Sequence, residues 1–235
     1  MKNTRQISIE HKRKLVKLKR KHHHPLVHKL HKKHKISYKT LHYMREYGPK
    51  SNVYHVIIKE SIKVLILASI LSSVGGFGLQ SIQSKITSIL PLLILLPALN
   101  NMIGSYGTIV SSKFTTMLYL GKAKKQWWKS SDVRTLFSNI FLIAVMSSVF
   151  IGLLASGVSY TKGFGIGVDM IIKIIEISLI STLVMVFVIF ILSTTIGLYI
   201  YRKNEDPNNF LIPITTSVGD LGSMAIFSFM VYLFF

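Results

Sequence analysis

The sequence predicts an all-α, polytopic membrane protein with five transmembrane helices, its N-terminus inside and its C-terminus outside. Three observations carry this. The chain holds five long charge-free or nearly charge-free stretches. Its charge is divided unevenly along its length. The Lys and Arg of its short connections fall on alternate loops. Net charge is +20, yet 49% of residues are hydrophobic and mean hydropathy is +0.44. Residues 1–59 carry 17 Lys/Arg and two acids, or +15. Residues 60–235 carry 12 Lys/Arg and seven acids, or +5. The first segment reads as a basic, His-rich cytoplasmic head, and the second as a five-helix membrane domain. A soluble enzyme of uniform composition is excluded. With no cysteine, so are disulfides, thiolate metal sites and thiol nucleophiles.

A membrane helix needs about 20 mostly apolar residues. Between Lys63 and Lys85 lie 21 uncharged residues, between Lys85 and Lys113 lie 27, and between Arg134 and Lys162 lie 27. Between Glu176 and Arg202 lie 25, and from Pro207 to Phe235 run 29, broken only by Asp220. Core helices of soluble proteins are shorter and amphipathic. The head is too long for the basic region of a signal peptide, and no cleavage site follows it. A basic head places the N-terminus in the cytoplasm. The loop with Lys122, Lys124, Lys125, Lys129 and Arg134 then also falls inside, as does the loop with Arg202 and Lys203. Trp127 and Trp128 suit an interfacial aromatic belt. Glu60 and Lys63 flank the first span and read as interfacial.

The second span, from Pro91 to Ser112, contains two prolines, the pair Asn100–Asn101, and Gly104 and Gly107. Two readings stand. Small residues let helix backbones approach closely. Alternatively, unwound carbonyls at such breaks coordinate cations, and the paired asparagines at mid-depth favour this. Asn101 and Ser105, at i and i+4, share a face. The fifth span contains Asp220, with membrane-depth residues on both sides. A buried acid costs several kcal/mol unless paired or hydrated, so it is a functional candidate. Thr216 at i−4 and Ser217 at i−3 put three oxygens on one face. The alternative is a protonated Asp220 bonded to a neighbouring helix. Asp169, Lys173 and Glu176 recur at i, i+4 and i+7 at the start of the fourth span. They read as an interfacial ladder or as a cation-attracting vestibule built on Asp169 and Glu176.

The stretch PALNNMIGSYGTIVSSKFTTMLYLGK, from Pro97, resembles the second membrane helix of the MgtE-type divalent cation transporters. Its likeness is greatest to the eukaryotic solute-carrier magnesium transporters of that family. DPNNFLIPITTSVGDLGS is similar to their fifth-helix signature, in which an Asp follows the second Pro by seven places, as Asp220 follows Pro213. IIKESIKVLILASILSSVGGFGLQ is similar to their first helix. The resemblance covers residues 57–235 and implies a homodimeric magnesium pathway lined by the second and fifth helices. Magnesium would be the transported ion, not a catalytic cofactor. Asp220 matches the family's cation site, and Thr216 matches a carbonyl donor to it. Ser105 falls where the family commonly has Asn. That departure weakens a ligand role there, and Asn100 and Asn101 are the alternative amide donors.

Magnesium wants octahedral oxygen and dehydrates reluctantly. Two copies of Asp220 across a two-fold axis give two carboxylates for one dication, while Thr216, Ser217, Asn100 and Asn101 hydrogen-bond its water shell. The two carboxylates repel when empty, a bound dication offsets this, and acid is expected to inhibit transport. The basic head holds His22, His23, His24, His28, His31 and His34. It is read as an arm on anionic lipid, worth about 1 kcal/mol per basic residue, as a transition-metal tract, or as an unspecific polyanion ligand. No specific nucleic acid is expected, since base-stacking aromatics are not interleaved. Neither a nucleophile–base pair nor a phosphate loop occurs, so no enzyme is expected. The competing function is a non-transporting membrane anchor whose head recruits an acidic partner.

Overall fold

The computed structural model describes residues 53–123, 129–203 and 205–235 and the single position 33. These residues form six helices: α1 (Val53–Gln80), α2 (Gln83–Ser88), α3 (Leu90–Tyr119), α4 (Ser131–Thr161), α5 (Val168–Arg202) and α6 (Pro207–Phe234). No strand occurs among the described residues. Five of the helices are long and apolar enough to cross a membrane, the span of α1 being Ser61–Gln80. Each of the five expected spans thus has its helix. The six-residue α2 around Lys85 was not expected. The head's histidines, Lys124, Lys125, Trp127, Trp128 and the side chain of Glu60 lie outside the described residues. Helix α1 begins at Val53, so helix runs unbroken from the end of the 1–59 segment into the first span.

The long helices hold 28 to 35 residues. At about 1.5 Å per residue they reach roughly 42–52 Å, beyond the roughly 30 Å of hydrocarbon. Their ends follow local chemistry. Pro91 sits in the first turn of α3 and Pro207 in that of α6, where a missing N–H costs nothing. The Asp206 carboxylate caps α6 by accepting from the Asn208 N–H at 3.1 Å. Gly121 and Gly163 terminate α3 and α4 with φ of +73° and +79°. Each is followed by a residue whose N–H reaches back five places, Lys122 to the Met117 carbonyl and Phe164 to the Ser159 carbonyl.

Helix α6 is the hub of the bundle, packing on α1, α3 and α5, while α3 also packs on α4 and α5. Leu92, Leu95, Leu99, Ile103, Tyr106, Val110 and Phe114 recur at three- and four-residue intervals along α3 and are buried. They meet Ile174, Ile177, Val186 and Ile189 of α5 and Phe227 and Val231 of α6 in one core. Helix α3 approaches α6 closely at Gly107, where a Cβ would lie 3.1–3.3 Å from Thr215. There Ser111 of α3 meets Thr215 Oγ1 of α6 at 3.1 Å and Ser193 Oγ of α5 at 3.4 Å. Hydroxyls thus join three helices where lipid offers no hydrophobic drive for association. Outside this core α1 leans on α6 and turns Ile66, Ile70, Val74 and Phe77 outward.

Candidate cation site

Helix α3 brings Asn100, Asn101 and Ser105 to the side of α6 that carries Thr216 and Asp220. With Pro97, Gly104 and Thr108 they line a pocket of about 470 Å³. Five of the six residues expected as cation ligands therefore converge. Asn100, Thr216 and Asp220 are half-buried, whereas Asn101 and Ser105 are exposed on the outer side of the chain.

The Asp220 carboxylate is held on both oxygens. Oδ1 accepts from Asn100 Nδ2 at 3.0 Å, and Oδ2 accepts from the Ser72 hydroxyl at 3.0 Å. The Ser223 hydroxyl donates to Asn100 Oδ1 at 2.6 Å, which turns the amide so that its NH₂ faces the carboxylate. An ionised carboxylate has about four acceptor positions, so roughly two remain for an ion or its water. Thr216 Oγ1 bonds back to the Ile212 carbonyl at 2.8 Å and the Pro213 carbonyl at 3.1 Å. Ser105 Oγ likewise bonds to the Asn101 carbonyl at 2.9 Å. Both hydroxyl oxygens keep a lone pair for a water shell.

Ser217 does not reach the pocket. It is buried, and its hydroxyl bonds to the Ile214 carbonyl at 3.0 Å. The expected trio of oxygens on one face is thus split. Consecutive helix positions stand about 100° apart, and here that turn carries Ser217 from the pocket side of Thr216 into the bundle. Asp169 and Glu176 of α5 are likewise not among its lining residues. Lys173 pairs with neither of them among the described residues. Its Nζ donates to the Phe234 carbonyl at 3.0 Å and lies 5.1 Å from the Phe235 ring centroid. The expected ladder is therefore replaced by a tie between the first turns of α5 and the end of α6.

Ser72 and Ser223 were not anticipated. Each is a serine among many in apolar helices, and each partner lies 123 to 148 positions away. Ser223, three places after Asp220, was open to discovery by helical spacing. Nothing local distinguished Ser72.

Five long apolar helices define a multi-pass membrane protein, and this one has a polar pocket at mid-helix. Residues 96–230, more than half of the chain, match the MgtE family of divalent cation transporters. The chain belongs to that family, a family of transporters rather than enzymes. The match spans every pocket residue from Pro97 to Asp220. It does not extend to residues 57–80, whose likeness to a first helix rests on sequence alone. No curated protein and no solved structure matches the chain.

Proposed function

We propose that the protein passes divalent cations, magnesium foremost, along a pathway between two copies of the chain, with α3 and α6 lining it and Asp220 at its centre. One observation carries this reading: the pocket's polar groups stand on the outside of the protomer. Asn101 and Ser105 are exposed in the middle of a membrane helix. Lipid is a poor environment for them, and a second copy covering this face would enclose them. The same pairing supports the ligand chemistry. Among the described residues no group of three or more His, Cys, Asp or Glu could hold a metal ion. One carboxylate per chain is a weak site, and two across a two-fold axis match a dication.

The pocket's size favours a hydrated ion. Six waters at about 30 Å³ each occupy roughly 180 Å³, well under the 470 Å³ available on one chain. Asp220 supplies charge, while Asn100, Asn101, Ser105 and Thr216 hydrogen-bond the shell. In this reading the N-terminus is cytoplasmic, and the basic residues 1–59 lie on anionic lipid. The deciding experiment is ion flux into liposomes holding the purified protein, with magnesium, manganese and cobalt compared. Saturable flux that Asp220→Asn removes supports the pathway. No flux of any divalent ion, with head-dependent lipid binding intact, favours a membrane anchor.

A further inference from the structure

Three serines lie close together on α1: Ser69, Ser72 and Ser73. In an apolar helix a serine hydroxyl ordinarily bonds the carbonyl four places earlier. Ser69 does so with Leu65 at 2.9 Å, and Ser73 with Ser69 at 2.8 Å. Ser72 instead reaches across to Asp220 Oδ2 at 3.0 Å. The approach that permits this is built in. Gly75, one turn on, is buried against α6, where a Cβ would come within 3.0 Å of Leu221 Cα, the residue after Asp220. Ser72 is not among the residues lining the pocket. It holds the carboxylate from the α1 side while Asn100 holds it from the α3 side.

We propose that Ser72 is a positioning residue of the cation site. A carboxylate's terminal torsion is broad and ranges between two equivalent states. With Asn100 alone the group can swing about one bond. The Ser72 hydroxyl fixes its plane and leaves the remaining lone pairs of both oxygens directed at the pocket. Helix α1 thereby contributes to cation affinity without touching the ion. This inference rests on the reading of the pocket as a divalent cation site.

The test is the concentration dependence of manganese and magnesium flux in proteoliposomes. Ser72→Ala is expected to raise the half-saturating concentration about tenfold or more, the loss of one hydrogen bond to a charged group, with maximal flux changed far less. Ser72→Thr, which keeps the hydroxyl, is expected to stay near wild type. Ser228→Ala is the control. It removes the other hydroxyl bond between α1 and α6, from Ser228 Oγ to the Gly78 carbonyl at 3.2 Å, without touching Asp220. Should alanine at Ser72 not fold, Ser72→Thr against Ser72→Val, equal in shape, carries the same comparison. Unchanged half-saturation in the hydroxyl-free variant overturns the proposal. So does an equal rise in Ser228→Ala, which would reduce the effect to helix docking. Wild-type protein without saturable flux sinks the pathway reading itself, and this inference with it.

Discussion

Asn100 donates through Nδ2 to Asp220 Oδ1 at 3.0 Å, a bond between α3 and α6 that spans 120 positions of sequence. The amide is itself fixed by Ser223, so the contact is a three-membered chain rather than a loose pair. Replacing Asn100 by Ala removes the carboxylate's α3 donor and leaves the Ser223 hydroxyl only the Asp220 carbonyl, at 3.0 Å. Each lost bond is worth about 1–3 kcal/mol where the partner stays buried. Cation flux at fixed subsaturating magnesium is expected to fall roughly tenfold or more. Asn100→Ala flux equal to wild type would show that the amide is not part of the site.

Asp220→Asn keeps the shape but removes the charge and turns one of the two accepting oxygens into a donating NH₂, so that Ser72 or Asn100 loses its acceptor. Divalent flux is expected to drop at least about tenfold, because a neutral amide is a poor substitute for a carboxylate on a hard dication. A metal-sensitive dye inside the vesicles reads the flux, and Asp220→Asn flux equal to wild type would count against an Asp220-centred pathway.

Ser105 is exposed, and its hydroxyl bonds only its own helix. Ser105→Leu is therefore expected to leave stability within about 0.5 kcal/mol, while its larger side chain narrows the pocket. The expected signature is a normal melting temperature in detergent with reduced flux. A normal melting temperature with full flux would place the pathway elsewhere.

Gly107 sits where α3 and α6 nearly touch, with Thr215 only 3.1–3.3 Å from a would-be Cβ. Gly107→Val should push the helices apart and cost about 1–3 kcal/mol, the usual range for overpacking. A lowered melting temperature in detergent checks this. Because Ser111 and Thr215 bond one turn away, the loss should be larger than from Ser111→Ala alone.

Removing residues 1–52 deletes most of the basic charge but none of the pocket. Flux through the remaining helices is expected to persist. Binding of the isolated basic segment to vesicles should need anionic lipid and weaken as salt rises. Loss of all flux on truncation, with the bundle still folded, would assign the head a direct part in transport.

Much of this architecture was legible in the sequence because lipid leaves a chain few options. A run of twenty or more uncharged residues has only the helix to satisfy its backbone, so all five spans were readable. Asp220 was legible for the same reason, since an isolated acid in such a run needs an explanation. The pocket's partners were harder to see. Asn100 and Asn101 are adjacent, and their polarity alone marked them, but which amide meets the carboxylate depends on how α3 is rotated against α6. Ser217 was misplaced because i−3 and i−4 positions were treated as one face. The Asp169–Lys173–Glu176 spacing suggests a ladder, yet Lys173 meets a backbone carbonyl of α6 and the Phe235 ring instead. Ser72 was invisible, because a long-range contact leaves no local pattern.

The packing of α1 on α6 has a consequence for how the protein is made. The first of the five spans to leave the ribosome has its principal interface with the last. Until α6 is inserted, α1 has no substantial partner among the described residues and stands as a single helix in lipid. Its outward-facing Ile66, Ile70, Val74 and Phe77 suit it to that wait. The hydrogen-bonded cluster around Asp220 is then completed only with α6, when the carboxylate arrives between a serine and an asparagine already in the membrane. A nascent chain stalled before α6 would hold neither its first helix in place nor any carboxylate at mid-membrane.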